Sequence, residues 1–431
     1  VDARRVAYEI LLRTEREGAY ADVELGRALS GRALAEADRK LATLLVYGTL
    51  ARRLTLDHTI ARYADRKISK IDLPALTAIR LAVFQIGFLD RVPAYAAVDG
   101  SVKLAKKRSP RTAGFVNAVL RRVAERGLVD PDDADPLTRL SIRVSHPRWL
   151  AERWCNELGE EEAERLMHAD NEPMPNAMRI LTDRDSAERA LAAAGIESRD
   201  GRYAPDAVIT SRAESLPGVA IPQSEASQVV ALFLDVHRGM RVLDACAAPG
   251  GKTAYLARLV GPGGHVTAVD SARGSARRIR ATLESTGTES NVDIHEMPVE
   301  ALDESGGYDA VLVDAPCSGL GTLREHPEIR WRREPDDIAD LAARQRSALA
   351  AAAKHLRPGG RLVYSTCTLL AEENDEVVDG FLQDNSEFAA APSPFGDVPA
   401  AELVGTDGRL RTYPHRHDTA GFFAAGIRKK R

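Results

Sequence analysis

Residues 242–256, VLDACAAPGGKTAYL, constrain this chain more than any other stretch. An apolar run at Val242 and Leu243 ends in Asp244, and a small-residue turn with Pro249, Gly250 and Gly251 follows. From Thr253 onward, Leu256, Leu259 and Val260 form an apolar stripe that predicts a helix. Glycines at a strand-to-helix junction let a ligand approach the backbone, and the helix start offers free N–H groups to an anionic or polar group. Gly251-Lys252-Thr253 is no phosphate-binding P-loop, because that motif needs a glycine where Cys246 stands. A second strand, 265–269, runs into Asp270. An acid at that tip can accept both ribose hydroxyls of a nucleoside cofactor. S-adenosylmethionine and a dinucleotide both suit a glycine turn with a ribose acid, so the choice falls to the rest of the chain.

That rhythm continues. Strands are expected at 241–244, 265–270, 292–295, 310–314 and 361–365, with helices at 253–260, 275–284 and 338–355 between them. Strands separated by helices imply an α/β domain with a largely parallel, Rossmann-like sheet and a site at the strand C-terminal ends. A late strand at 421–427 precedes Arg428–Arg431, read as a loose basic end in preference to an RNA contact. Residues 4–125 follow a different period. Apolar spacings of three and four predict helices at 4–12, 22–29, 39–56, 56–64, 74–89, 95–105 and 113–123. The polar, proline-bearing DPDDADPLTRL after them reads as a linker. A small α/β segment follows, with strands at 177–181 and 207–209 around a helix at 186–194. The expected domains are therefore 1–130 all-helical, 131–144 linker, 145–224 small α/β, and 225–431 the large α/β domain.

Charge is distributed unevenly. Residues 1–140 hold 25 Lys and Arg against 18 Asp and Glu, a balance of +7, which leaves −11 for the remainder of a chain with net charge −4. A basic module can steer a polyanion whatever the overall sign. Lys103, Lys106, Lys107, Arg108 and Arg111 are the candidate RNA contacts; solvated helix surface is the competing reading. No apolar run is long enough for a membrane span, and VDARRVAYEI lacks the core of a signal peptide, so a cytoplasmic protein is expected. The four cysteines form no CxxC pair, which argues against a disulfide framework and against a metal site.

Two of those cysteines carry the chemistry. Asp314-Ala-Pro-Cys317-Ser-Gly319 follows one apolar strand, and Ser365-Thr-Cys367-Thr follows another. In a parallel sheet both strand ends open on the cleft that holds the cofactor turn. Two thiols and an acid thus converge from 50 residues apart. Cys155 and Cys246 read as packing residues. A thiolate, an acid and a methyl donor suit one reaction. Carbon five of cytosine is a poor nucleophile until a thiolate adds to carbon six, and an acid near N3 stabilises that adduct. Lys252 can supply charge near the base or the acid.

The motifs Asp244-Ala-Cys-Ala-Ala-Pro-Gly-Gly-Lys-Thr253, Asp314-Ala-Pro-Cys-Ser-Gly-Leu-Gly321, and Tyr364-Ser-Thr-Cys-Thr368 with Glu372-Glu373-Asn374 resemble the NOL1/NOP2/Sun family of RNA cytosine-5 methyltransferases, within it the RsmB/Sun type acting on 16S ribosomal RNA. His326-Pro327-Glu328-Ile329-Arg330-Trp331 and Asp418-Thr-Ala-Gly-Phe-Phe423 add to the match. Leu45-Val-Tyr-Gly-Thr-Leu50, Arg91-Val-Pro-Ala94 and Phe115-Val-Asn-Ala-Val-Leu-Arg121 resemble a NusB-like helical domain. The resemblance implies Cys367 as nucleophile, Cys317 as the residue of product release, and Asp314 on the N3 side of the base. It implies S-adenosylmethionine held by Cys246, Ala247, Ala248, Pro249, Gly250, Gly251, Lys252, Asp270 and Asp314, with Arg273 in the neighbourhood. The implied partner is unassembled or precursor 16S rRNA, with no obligate protein partner. Family members place an aspartate after the third core strand for the adenine amino group. Here His295-Glu296-Met297-Pro298 stands instead, leaving Glu296 or Met297 as alternatives. DNA cytosine methyltransferases attack with the Pro-Cys cysteine and need a target-reading domain after the core, where only a short tail follows Cys367. A non-catalytic NusB-like binding or antitermination factor would leave the donor turn unused, and a dehydrogenase would leave the paired thiols unused.

Overall fold

The computed structural model describes residues 2–30, 34–108, 110–303 and 307–431. They form two compact units: residues 1–173 with 323–332, and residues 174–322 with 333–431.

The first unit is helical: α1 (Ala3–Glu17), α2 (Ala21–Ser30), α3 (Glu36–Ala51), α4 (Arg53–Ala64), α5 (Leu73–Phe88), α6 (Ala94–Arg108), α7 (Ala113–Arg126), α8 (Pro136–Val144), α9 (Arg148–Leu158) and α10 (Glu160–Ala169). Helix α5 is its centre. Pro74 to Gln85 are buried without a break, so this helix is enclosed on every side, with Arg80 paired to Asp57 and Glu15. Burying each of its large aliphatic side chains stabilises the fold by roughly 1.5–3 kcal/mol. Gly48 lets α3 come close: a Cβ there would lie 2.0 Å from the ring of Phe84. The long helix expected over 39–56 is broken at Arg52, where α3 ends and α4 begins.

The linker expected at 131–144 is largely a helix. Asp135 caps α8 by accepting the Thr138 N–H, and Pro136 occupies the first helical position. The Asp-Pro pair that reads as loop punctuation is here a helix start, where a proline lacks no needed donor. Helices α9 and α10 pack within this unit.

The second unit opens with β1 (Asn176–Ile180), α11 (Arg184–Ala193), β2 (Ser198–Asp200), β3 (Ala207–Thr210) and β4 (Ala220–Pro222). These strands form an antiparallel sheet in the order β2-β3-β1-β4. Then come α12 (Glu225–Phe233), β5 (Arg241–Ala245), α13 (Gly251–Val260), β6 (His265–Val269), α14 (Ser275–Thr286), β7 (Val292–His295), β8 (Tyr308–Asp314), α15 (Pro335–Lys354), β9 (Leu356–Thr366), α16 (Asp375–Asp384), β10 (Phe388–Ala390), β11 (Leu410–Thr412) and β12 (Phe422–Lys429). The large sheet runs β10-β12-β9-β8-β5-β6-β7, with β11 also on β12. Strands β9, β8, β5, β6 and β7 are parallel. This is the Rossmann-like α/β architecture, with an antiparallel flank added by β12 and β10. Chain order reverses between β5 and β8, which opens a crevice at their C-terminal ends.

The basic end is not loose. Arg428 and Lys429 are part of β12, in register with Ala389 and Phe388, and the Lys430 N–H donates to the Glu387 carbonyl. Among the described residues, no helix is long and apolar enough to cross a membrane.

Candidate active site

The cleft is built from four strand ends. At the end of β5, Cys246 takes a left-handed conformation (φ 68°) and Gly250 another (φ 103°), so the chain turns sharply into α13. The turn is pinned on all sides. The Ala247 N–H donates to the Val269 carbonyl, the Gly250 N–H to the Ala247 carbonyl, and the Thr282 hydroxyl to the Pro249 carbonyl. Beneath it, Arg179 donates to Gln223 Oε1 at 2.7 Å and to the Gly251 carbonyl at 3.4 Å, with its guanidinium over the Tyr255 ring. Burial lowers the pKa of Arg179 to about 10, so it remains a cation under the turn at neutral pH. Nothing in the local sequence marks Arg179 as part of this support.

Asp270, after β6, accepts the Ala248 N–H on Oδ2 (3.0 Å) and the Ala272 N–H on Oδ1 (2.8 Å). Each oxygen keeps acceptor capacity for a hydroxyl. Asp244 is buried; its Oδ2 accepts the Thr253 hydroxyl at 2.7 Å, while Oδ1 has no hydrogen-bond partner. Burial, opposed by the Thr253 bond, pushes its carboxyl up to about 7. An orphaned acceptor and a cradled carboxylate beside a glycine turn fit the amino and ribose groups of S-adenosylmethionine. Arg273 is exposed. Glu296 is committed elsewhere: its carboxylate accepts the Gly274 and Ala276 N–H groups at the start of α14, and these bonds hold its pKa below the ordinary range. Met297 packs into the core between sheet and helices.

Asp314 ends β8. Its Oδ1 accepts the Ser365 hydroxyl (2.8 Å) and its Oδ2 pairs with Lys252 Nζ (2.8 Å). Burial pulls the Lys252 pKa down, but the charge and hydrogen bond of Asp314 outweigh it and leave it above the usual lysine value. The Lys252 ammonium also sits 5.0 Å from the Phe422 ring centroid. Cys317 and Cys367 lie with their sulfurs 3.2 Å apart, and the Cys367 N–H donates to Cys317 Sγ at 3.3 Å. Both are free thiols. The adjacent sulfur and burial push the Cys317 thiol well above its usual pKa, since two charges cannot share so small a volume.

Backbone approach fixes the cysteine loops. The Gly321 N–H donates to the Cys367 carbonyl, and the Gly421 N–H to the Gly321 carbonyl at 2.7 Å. A Cβ on Gly321 would lie 2.0 Å from the Gly421 oxygen, so both positions require glycine. Arg333 donates to the carbonyls of Ser318 (3.0 Å) and Cys317 (3.4 Å). Its place in a run of arginines conceals that role. Lys252, Asp314, Cys317 and Cys367 are thus brought together with Ser365. The basic candidates lie in the helical unit. Lys103, Lys106, Lys107, Arg108 and Arg111 are exposed on α6 and the turn after it, with Lys103 paired to Asp99. In the same unit, one ligand atom each from Asp22, His326 and Glu328 lie within 4.8 Å of one another. One Glu328 oxygen already accepts the Ala21 N–H that begins α2.

Sheet order, cofactor turn and the acid after β6 define the class: the chain is an S-adenosylmethionine-dependent methyltransferase. The model of the 16S rRNA methyltransferase RsmB/F family matches residues 231–428, the NusB family residues 1–125, and the RsmF/B-like ferredoxin-like domain residues 146–216. The chain belongs to the RsmB/F family of rRNA methyltransferases. It is 35% identical to the probable ribosomal RNA small subunit methyltransferase B of Bacillus subtilis, over 99% of this chain and 98% of that one. Its identity to the similarly named Synechocystis protein is 34%, over the full length of both. Among solved structures it superposes on PH0851 with a TM-score of 0.84 and 26% identity, covering 100% and 99% of the two chains.

Proposed function

We propose that this enzyme methylates carbon five of a cytidine in 16S rRNA, with Cys367 as the nucleophile and Cys317 as the residue that releases the product. The observation that carries the reading is the pair of sulfurs 3.2 Å apart, at the ends of neighbouring strands and next to the Lys252–Asp314 ion pair. One thiol would serve a simple nucleophile. Two in contact suit a reaction that must both make and break a carbon–sulfur bond.

The roles follow from the partners. Cys317 is held protonated by the adjacent sulfur and by burial, which leaves Cys367 as the attacking thiol. The sulfur of Cys367 adds to carbon six of the ring. Asp314 faces the N3 edge and relays to it a proton from the Lys252 ammonium, while Ser365 holds its carboxylate in place. Bound at the 246–252 turn and Asp270, S-adenosylmethionine supplies an electrophilic methyl group. Loss of the carbon-five proton to a base then allows Cys367 to be expelled, with Cys317 assisting. The target base must leave its stack to reach the cleft, which favours unassembled or precursor rRNA. Residues 1–130 serve as the RNA-binding module, with Lys103, Lys106, Lys107, Arg108 and Arg111 its phosphate contacts.

The test uses labelled S-adenosylmethionine and 16S rRNA. Cys367→Ala abolishes methyl transfer, and Cys317→Ala accumulates an RNA–protein adduct that survives a denaturing gel. Normal turnover by a folded Cys367→Ala protein removes the nucleophile assignment. Bisulfite sequencing of the product identifies the modified cytidine.

A further inference from the structure

Behind the two sulfurs lies a buried carboxylate that the reaction above does not use. Glu373 is fully buried. Its Oε1 accepts the Ser318 N–H at 2.8 Å and Gln345 Nε2 at 2.9 Å, and its Oε2 accepts the Ser318 hydroxyl at 2.5 Å. The Thr368 hydroxyl lies 2.8 Å from that of Ser318. The Ser318 hydroxyl is thus within donating distance of both the Glu373 carboxylate and the Thr368 hydroxyl, and it links the two. Gln345 also donates to the Pro316 carbonyl. The next residue completes the frame: Asn374 accepts the Thr366 hydroxyl and donates to the Thr368 carbonyl. One short turn, together with Gln345, therefore holds the residues on both sides of Cys317 and on both sides of Cys367.

We infer that Glu373 is a positioning residue that clamps the two cysteine loops together and makes the two thiols chemically unequal, a role that rests on the two-thiol reading above. The clamp needs a carboxylate. Every group facing it donates; in a side-chain amide of the same shape the nitrogen in place of Oε2 would force the Ser318 hydroxyl to accept instead, and the charge would be lost. Its negative charge also acts on one sulfur more directly than on the other. It is bonded to the residue after Cys317 and adds to the forces that keep that thiol protonated. The other groups facing Cys317 are Cys367, the Tyr364 hydroxyl and the Arg333 guanidinium on its carbonyl. Cys367 has the Lys252 ammonium on its side of the cleft.

The test reads the thiols without RNA or cofactor. The protein is alkylated with iodoacetamide from pH 6 to 10, and each cysteine is quantified by mass spectrometry. In the native protein Cys367 is modified first and Cys317 only at higher pH. In Glu373→Gln the Cys317 profile moves to lower pH and the preference for Cys367 shrinks, while methyl transfer falls by about tenfold or more. Ser318→Ala, which keeps the carboxylate and removes one leg of the clamp, moves both readouts the same way by less. The inference is overturned if Glu373→Gln and Ser318→Ala leave both labelling profiles unchanged, whether or not activity drops, because lost activity with unaltered thiols marks simple destabilisation. If Glu373→Gln does not fold, Ser318→Ala alone decides by the same criterion. Failure of the two-thiol reading is seen separately, as activity in Cys367→Ala.

Discussion

Burial pushes one carboxyl in each unit up to about 7, Asp170 among the helices and Asp244 in the cleft, yet the two regions treat it differently. Asp170 has no hydrogen bond on either oxygen. Its company is His146, with Nε2 at 3.5 Å, and the charges of Arg330 and Arg324. His146 Nδ1 donates to the Val144 carbonyl, so Nε2 faces Asp170 bare, and burial together with Arg330 holds the ring's pKa well below its usual value. Asp244 has one hydroxyl partner and stands among Lys252, Asp314 and Asp270. The helical cluster is buried and holds chain segments together. The cleft cluster keeps an open acceptor among charged neighbours. Similar pKa values therefore mark different uses.

The sharpest way to break this contrast is Arg330→Met. Arg330 is completely buried and donates to the carbonyls of Ser145 (3.1 Å) and Asp170 (3.1 Å) and to Asn171 Oδ1 (2.8 Å). Methionine fills the space but strands those acceptors, so unfolding free energy should fall by about 3–5 kcal/mol, read from urea denaturation. Arg330→Lys should recover part of that loss, because an ammonium restores charge but not the planar fork. The cleft should respond oppositely. Asp314→Asn keeps its shape and one acceptor but leaves Lys252 without its carboxylate, so the urea midpoint should fall by less than in Arg330→Met, while methyl transfer falls roughly 10²-fold or more. An Asp314→Asn protein as destabilised as Arg330→Met, or a stable Arg330→Met, would erase the distinction between the two regions.

The cleft was readable in the sequence because a parallel sheet sends every strand's C-terminus to one edge. Once Asp314, Cys317 and Cys367 were placed after strands, their meeting followed without knowledge of contacts. What was hidden depends on partners distant in the chain. Asp135-Pro136 carries the composition of a loop, and only the Thr138 N–H reveals it as a cap. Residues 323–332 leave the large α/β unit to join the helical one, which no local period encodes. Glu296 looks like a free acid after β7 until α14 folds back and its first N–H groups claim both oxygens. Glu373 sits inside a quoted motif, but its grip on Ser318 spans 55 residues and appears only in three dimensions.

The smallest expected effect is the most specific to the comparison. Asp244 has its pKa raised from an unfolded value of about 3.9 to about 7. The folded state therefore holds a proton that the unfolded chain has released, and its stabilising share is complete below pH 4 and lost as pH rises toward 7. The slope is at most about 1.4 kcal/mol per pH unit. The Asp170–His146 pair should contribute nothing over most of that window. Folded, the raised carboxyl and the depressed ring keep one proton between them; unfolded, between about pH 4 and 6.5, a charged histidine and an ionised aspartate also hold one. Urea midpoints at pH 4.5, 5.5 and 6.5 should thus drift downward in the native protein and flatten in Asp244→Asn. Adding Asp170→Asn to that variant leaves His146 neutral and alone against a protonated unfolded histidine, so stability should then climb with pH. Parallel curves for the native protein and Asp244→Asn would place the titrating carboxyl elsewhere, and a flat double variant would mean that His146 and Asp170 do not share a proton.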